Sequence, residues 1–232
     1  MGGIFGGVAE AFRAGGWGMY PIAASLVAAV AIVADRVFVL YRKAAIDKDE
    51  FLRGLKKHLY AGDLEKAIAY CAGQKKTPLV QVVKAGLIHV PKGEDDVQAA
   101  MDEATLRESP LIERRTGYLA MLANVATLLG LLGTIVGLIG AFAAVANANP
   151  ADKATLLSKS ISEAMNCTAF GLAVAIPSLV LYSVLQGRTQ AMMDDIHETA
   201  VGVLNLVVAN RDKMKMPTHV AQVAPVAAAA NE

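Results

Sequence analysis

The sequence predicts an all-α integral membrane protein with three transmembrane helices, long second and third helices that extend into the cytoplasm, and a small helical cytoplasmic domain. Three observations carry that prediction. The 232 residues are 55% hydrophobic and 19% charged, more apolar and less charged than soluble domains at roughly 45–50% and ~25%, and their mean hydropathy is +0.43. No residue from 116 to 151 carries a formal charge, a run of 36 residues, where roughly 20 suffice to span a bilayer. The stretch 161–182, ISEAMNCTAFGLAVAIPSLVLY, is also of spanning length yet contains one carboxylate, Glu163.

Taken in order, residues 1–16 form a short glycine-rich N-terminus, assigned to the periplasm. An apolar run follows and ends in Asp35-Arg36, giving a first transmembrane helix over 17–41. A signal peptide is the alternative, but Arg13 is offset by Glu10, while Arg36, Arg42 and Lys43 gather after the run and oppose its translocation. Trp17 and Tyr20 suit the outer interface and Tyr41 the inner one. Pro21 lies near the helix start, where its missing N–H matters least.

Residues 42–115 change to the composition of water-soluble helices. Their 14 basic and 12 acidic residues nearly cancel, so no field for nucleic acid is built there. Turn signals at Ala61-Gly62-Asp63, Gly73, Pro78 and Pro91-Lys92-Gly93 divide this cytoplasmic segment into several short helices. Asp63 suits an N-cap for LEKAIAYCA, and Pro78 a first helical position for PLVQVVKAGLIHV.

The second span is assigned to 116–147, a periplasmic loop to 148–159, the third span to 160–187, a cytoplasmic helical extension to 188–215 and a disordered tail to 216–232. Arg107, Arg114 and Arg115 before the second span and Arg188 after the third put those ends on the inner side, because positive residues mark the cytoplasmic face. A multi-pass membrane chain follows, with its N-terminus outside and its C-terminus cytoplasmic. The charge-free run is long enough for two short spans as well as for one long helix.

In the second span Gly130, Gly133, Gly137 and Gly140 recur at spacings of 3, 4 and 3 and share one face. Small residues in this pattern let helices approach closely in lipid. Asn124, Thr127 and Thr134 lie on a different face, suited to a pore. On the third span, Ser160, Cys167, Gly171 and Ser178 turn to the side of Glu163, with Thr168 and Tyr182 at its edge and Asn166 just across. Two readings of Glu163 stand here: a pore-lining carboxylate, since ionisable residues inside spans mark ion or substrate paths, or a residue near the outer end paired with Lys159 at i,i−4. Pro177 interrupts the backbone bonding of this helix.

Several function classes are excluded. Cys71 and Cys167 match no metal or redox spacing, all four histidines lie outside the spans, and the glycines at 130–137 lack the Lys of a phosphate-binding loop. No nucleophile, base and oxyanion donor can be assembled, so an enzyme, a metal site and a cofactor are not expected.

At these residues the chain resembles the MotA/TolQ/ExbB proton-channel family, and within it the TolQ/ExbB branch. GLLGTIVGLIGAF is similar to that family's second-span pattern, ISEAMNCTAFGLAVAIPSLVLYS to its third, and GDLEKAIAYCAG with TPLVQVVKAGL to its cytoplasmic part. Asn166-Cys167 departs from the apolar or alanine pair common there. The resemblance implies that Thr134, Glu163 and Thr168 face the pore, joined by Thr127 and Ser178 from their helix faces, with Pro177 as a shared helix feature. It also implies a homopentamer around two copies of a single-span ExbD/TolR-type partner whose Asp carries the proton, driving work such as outer-membrane transport, envelope maintenance or gliding. A non-conducting oligomeric scaffold is the alternative.

Overall fold

The computed structural model describes residues 15–43, 46–146 and 148–211. The N-terminal segment before Gly15 and the tail assigned to 216–232 lie outside the described residues. Every regular element described is helical: α1 (Met19–Phe38), a π-helical turn (Val39–Lys43), α2 (Lys48–Tyr60), α3 (Leu64–Gly73), α4 (Pro78–His89), α5 (Glu94–Glu113), α6 (Thr116–Ala146) and α7 (Lys153–Asn210). Three stretches are long and apolar enough to cross a membrane, Met19–Arg42, Glu94–Ala146 and Lys153–Asn210.

The long charge-free run forms one uninterrupted 31-residue helix, α6, about 46 Å at 1.5 Å per residue. No turn divides it into two short spans. The third apolar stretch belongs to a helix that begins at Lys153 and continues for 58 residues.

The chain divides into two compact units, one of residues 1–37 and 115–186, the other of 38–114 and 187–232. In the first, Ile22 of α1, Ala126 of α6 and Val174 of α7 meet in a small core flanked by Leu129 and Phe170. Its α6–α7 seam is closed by glycine. A Cβ on Gly130 would stand 3.0 Å from the Cys167 carbonyl oxygen, and one on Gly171 would stand 2.7 Å from that of Ala126. Backbone thus packs on backbone, the arrangement that favours helix association where no water is displaced. At the start of α6, Arg115 adopts φ 70°, a region disfavoured for a side chain with Cβ. Its guanidinium lies 3.2 Å from Asp35, which Arg36 also holds at 3.0 Å.

The second unit is built from larger side chains. Phe51, Leu55 and Leu59 of α2 share a buried face with Leu64, Ala67 and Cys71 of α3, because each set recurs at helical spacing. The Phe51 ring stacks on Tyr70 with centroids 6.0 Å apart. Helix starts follow the sequence signals. Asp63 accepts a hydrogen bond from the Lys66 backbone N–H at 3.1 Å, and Pro78 opens α4, where its missing N–H breaks no helical bond. Asp47 caps α2 in the same way through Glu50. The Lys48 ammonium reaches Asp195 at 2.8 Å and Glu198 at 2.5 Å, tying the start of α2 to α7.

Candidate ion path in the membrane unit

Four polar groups gather where α6 and α7 are closest. The hydroxyl oxygens of Thr134 and Thr168 lie 3.2 Å apart. Thr168 donates to the Gly130 carbonyl at 3.1 Å, and Thr134 reaches the Leu131 carbonyl at 2.6 Å. The proximity is a product of the glycine seam: only without a Cβ at Gly130 can the Cα of Thr168 come as near as it does. Packing and polarity, which the sequence assigned to two faces of the second span, therefore meet at one carbonyl.

Glu163 is half-buried and stands about one turn and a half before Thr168 on α7. It lines a cavity of about 300 Å³ with Ser160, Cys167, Trp17 and the glycines at 15, 18, 133, 137 and 140. The Cys167 thiol is not on an open stripe. It is buried, and donates to the Gly15 carbonyl at 3.0 Å. Gly171, on the same stripe, packs against Gly130. Lys159 makes no ion pair with Glu163 among the described residues, so the carboxylate is left facing the cavity.

The remaining residues singled out by sequence are placed as follows. Gly133 and Gly137 face Cys167 and Ala164 of α7, whereas Gly140 has open space beside it. Thr127 is exposed on α6 and donates to the Ala123 carbonyl at 3.1 Å. Ser178 is buried and donates to Val174 at 2.7 Å, so neither hydroxyl joins the Thr134–Thr168 pair. Pro177 is exposed within α7, where its ring nitrogen cannot donate to the carbonyl four residues earlier. No group of three or more potential metal ligands occurs among the described residues. Sequence reasoning missed Gly15 and Gly16, whose backbone reaches Cys167 and Glu163 from about 150 residues away; the departure at Cys167 was the only available signal.

Residues 74–198 match the sequence profile of the MotA/TolQ/ExbB proton channel family. The chain belongs to that family. Its relatives put it in the TolQ/ExbB branch. A putative biopolymer transport protein ExbB homolog of Methanothermobacter thermautotrophicus is 29% identical over 194 residues, which are 83% of this chain and 68% of that protein. The Tol-Pal system protein TolQ of Haemophilus influenzae is 35% identical over 127 residues, 54% of either chain. The structure of C. jejuni MotAB superposes with a TM-score of 0.56 at 14% identity, covering 84% of this chain and 74% of that one; it shows the fold. Members of the MotA/TolQ/ExbB family are channel proteins rather than enzymes, and family membership, together with three helices long and apolar enough to cross a membrane, makes this chain a proton-channel subunit of the bacterial inner membrane.

Proposed function

We propose that this TolQ/ExbB-type subunit forms a homo-oligomeric ring, a pentamer, around an ExbD/TolR-like single-span partner that carries the proton-binding Asp, and converts proton-motive force into mechanical work on the cell envelope. The N-terminus then lies in the periplasm, and residues 42–115 with the end of α7 lie in the cytoplasm. The scale suits the task, because one charge crossing is worth about 2.3 kcal/mol per 100 mV. Thr134, Glu163 and Thr168 are assigned to the proton path, with Thr127 and Ser178 further along it, and the glycines with Pro177 shape the helices that hold them.

The observation that carries the reading is the Thr134–Thr168 hydroxyl pair at 3.2 Å on a spanning seam, with the Glu163 carboxylate in an adjoining cavity. Hydroxyls that both accept and donate can pass a proton between water and a carboxylate. We expect Glu163→Ala and Thr168→Ala each to cut proton flux at least several-fold in liposomes holding chain and partner, with assembly intact by size-exclusion chromatography. Undiminished flux in both variants removes the assigned roles. The non-conducting scaffold rests on the same seam, since Thr134 and Thr168 also spend hydrogen bonds on backbone carbonyls. It predicts no flux with or without the partner.

A further inference from the structure

Residues 15–18 lie across the cavity that holds Glu163. Gly15, Trp17 and Gly18 form one wall, with Ser160, Glu163 and Cys167 of α7 opposite. Three features fit this segment to that position. Gly16 sits at φ +66°, and a Cβ there would strike the Glu163 carboxylate. A Cβ on Gly18 would stand 3.2 Å from the Cys167 sulfur. The carbonyl of Gly15 accepts the Cys167 thiol at 3.0 Å.

The two ends of the segment are held very differently. Met19 and Ile22, just beyond it, are fully buried and fix the start of α1. The Gly15 end packs on the Met19 side chain, and among the described residues its hydrogen bond to α7 comes from an S–H donor, among the weakest in proteins. A cavity of about 300 Å³ has room for several waters at ~30 Å³ each, and its polar wall of carboxylate, hydroxyl and thiol gives them partners.

We propose that residues 15–18 form a strap over Glu163, with Cys167 as the residue that positions it, and that release of the strap sets how readily protons exchange between that carboxylate and the water outside. This rests on the reading of Glu163 as part of the proton path. It accounts for the thiol at Cys167, which holds the strap without locking it. A serine donor makes the same bond more strongly, and an alanine makes none.

The test uses Cys167→Ala and Cys167→Ser in the full chain, assembled with its ExbD/TolR-type partner in liposomes, with flux read by an internal pH-sensitive dye. Cys167→Ala, which removes the donor to the Gly15 carbonyl, raises flux about two-fold or more, and Cys167→Ser, which keeps a donor, returns it to the parental level or below. Flux in Cys167→Ala no higher than the parental level, or flux in Cys167→Ser as high as in Cys167→Ala, overturns the strap alone. Absence of flux in the parent chain with its partner overturns the proton-path reading and the strap with it.

Discussion

The two units of the molecule solve the same problem, holding helices together, with opposite materials. In the membrane unit α6 and α7 meet through Gly130, Gly171 and the Thr134–Thr168 pair. In the other unit, which we propose lies in the cytoplasm, α2 and α3 meet through Phe51, Leu55, Leu59 and Leu64, each no more than 2% exposed. The difference follows from the solvent. In water, apolar area withdrawn from solvent supplies roughly 25 cal/mol per Å², so large side chains hold helices together. In lipid that term vanishes and close van der Waals contact with interhelical hydrogen bonds takes its place. The membrane seam therefore admits polar side chains at no loss of packing, which is what a proton path requires.

The largest expected effect breaks the second unit at its centre. Phe51→Ala removes a ring that is 2% exposed and stacked on Tyr70, at a cost of about 3–5 kcal/mol. Limited proteolysis should then cleave within 42–115 while the spans stay protected. Cleavage at the parental rate would mean that this core is not what holds α2 to α3.

A smaller effect sharpens the membrane side. Gly171→Ala puts a methyl 2.7 Å from a backbone oxygen that cannot turn aside, so the helices must part, at about 1–3 kcal/mol. Gly140→Ala meets nothing within 4 Å and, with the better helix propensity of alanine, should leave stability unchanged or slightly raised. Thermal unfolding in detergent gives the contrast directly. Equal losses at both positions would show that glycine flexibility, and not close approach, is what matters.

That pair of variants also marks where sequence stops being informative. The 3, 4, 3 spacing identified a face of α6 for close packing, and Gly130, Gly133 and Gly137 do face α7. Spacing carries no information on where a cavity opens beside the seam, and Gly140 borders one. Local signals read well for the same reason: the caps at Asp63 and Pro78 depend only on residues within a turn. Cys167 could not be placed from sequence, because its partner is the carbonyl of Gly15, 152 positions away, and a carbonyl has no residue signature. Arg115 is similar, since its pairing with Asp35 spans 80 positions and joins two segments that each read as an ordinary helix end. The fold was legible because periodicity is local; the wall of the Glu163 cavity was not, because it is made of backbone.

The smallest expected effect concerns charge. Lys48 is held by Asp195 first and by Glu198 second, and these hydrogen bonds raise its pKa above the ordinary 10.5. The folded state thus binds the proton more tightly than the unfolded one. Its contribution is fully present below about pH 10.5 and is lost as pH rises through the folded-state value. Because Asp195 is half-exposed and Glu198 largely exposed, the pairing is worth only about 0.2–1 kcal/mol and is screened by salt. Lys48→Met keeps the stem and removes the charge. The variant should unfold slightly earlier than the parent near pH 8, and the gap should close both at pH above 11 and in 1 M salt. A gap that persists under both conditions would assign the stabilisation to the packed methylenes of Lys48, and would make the second unit a structure held by apolar contact alone.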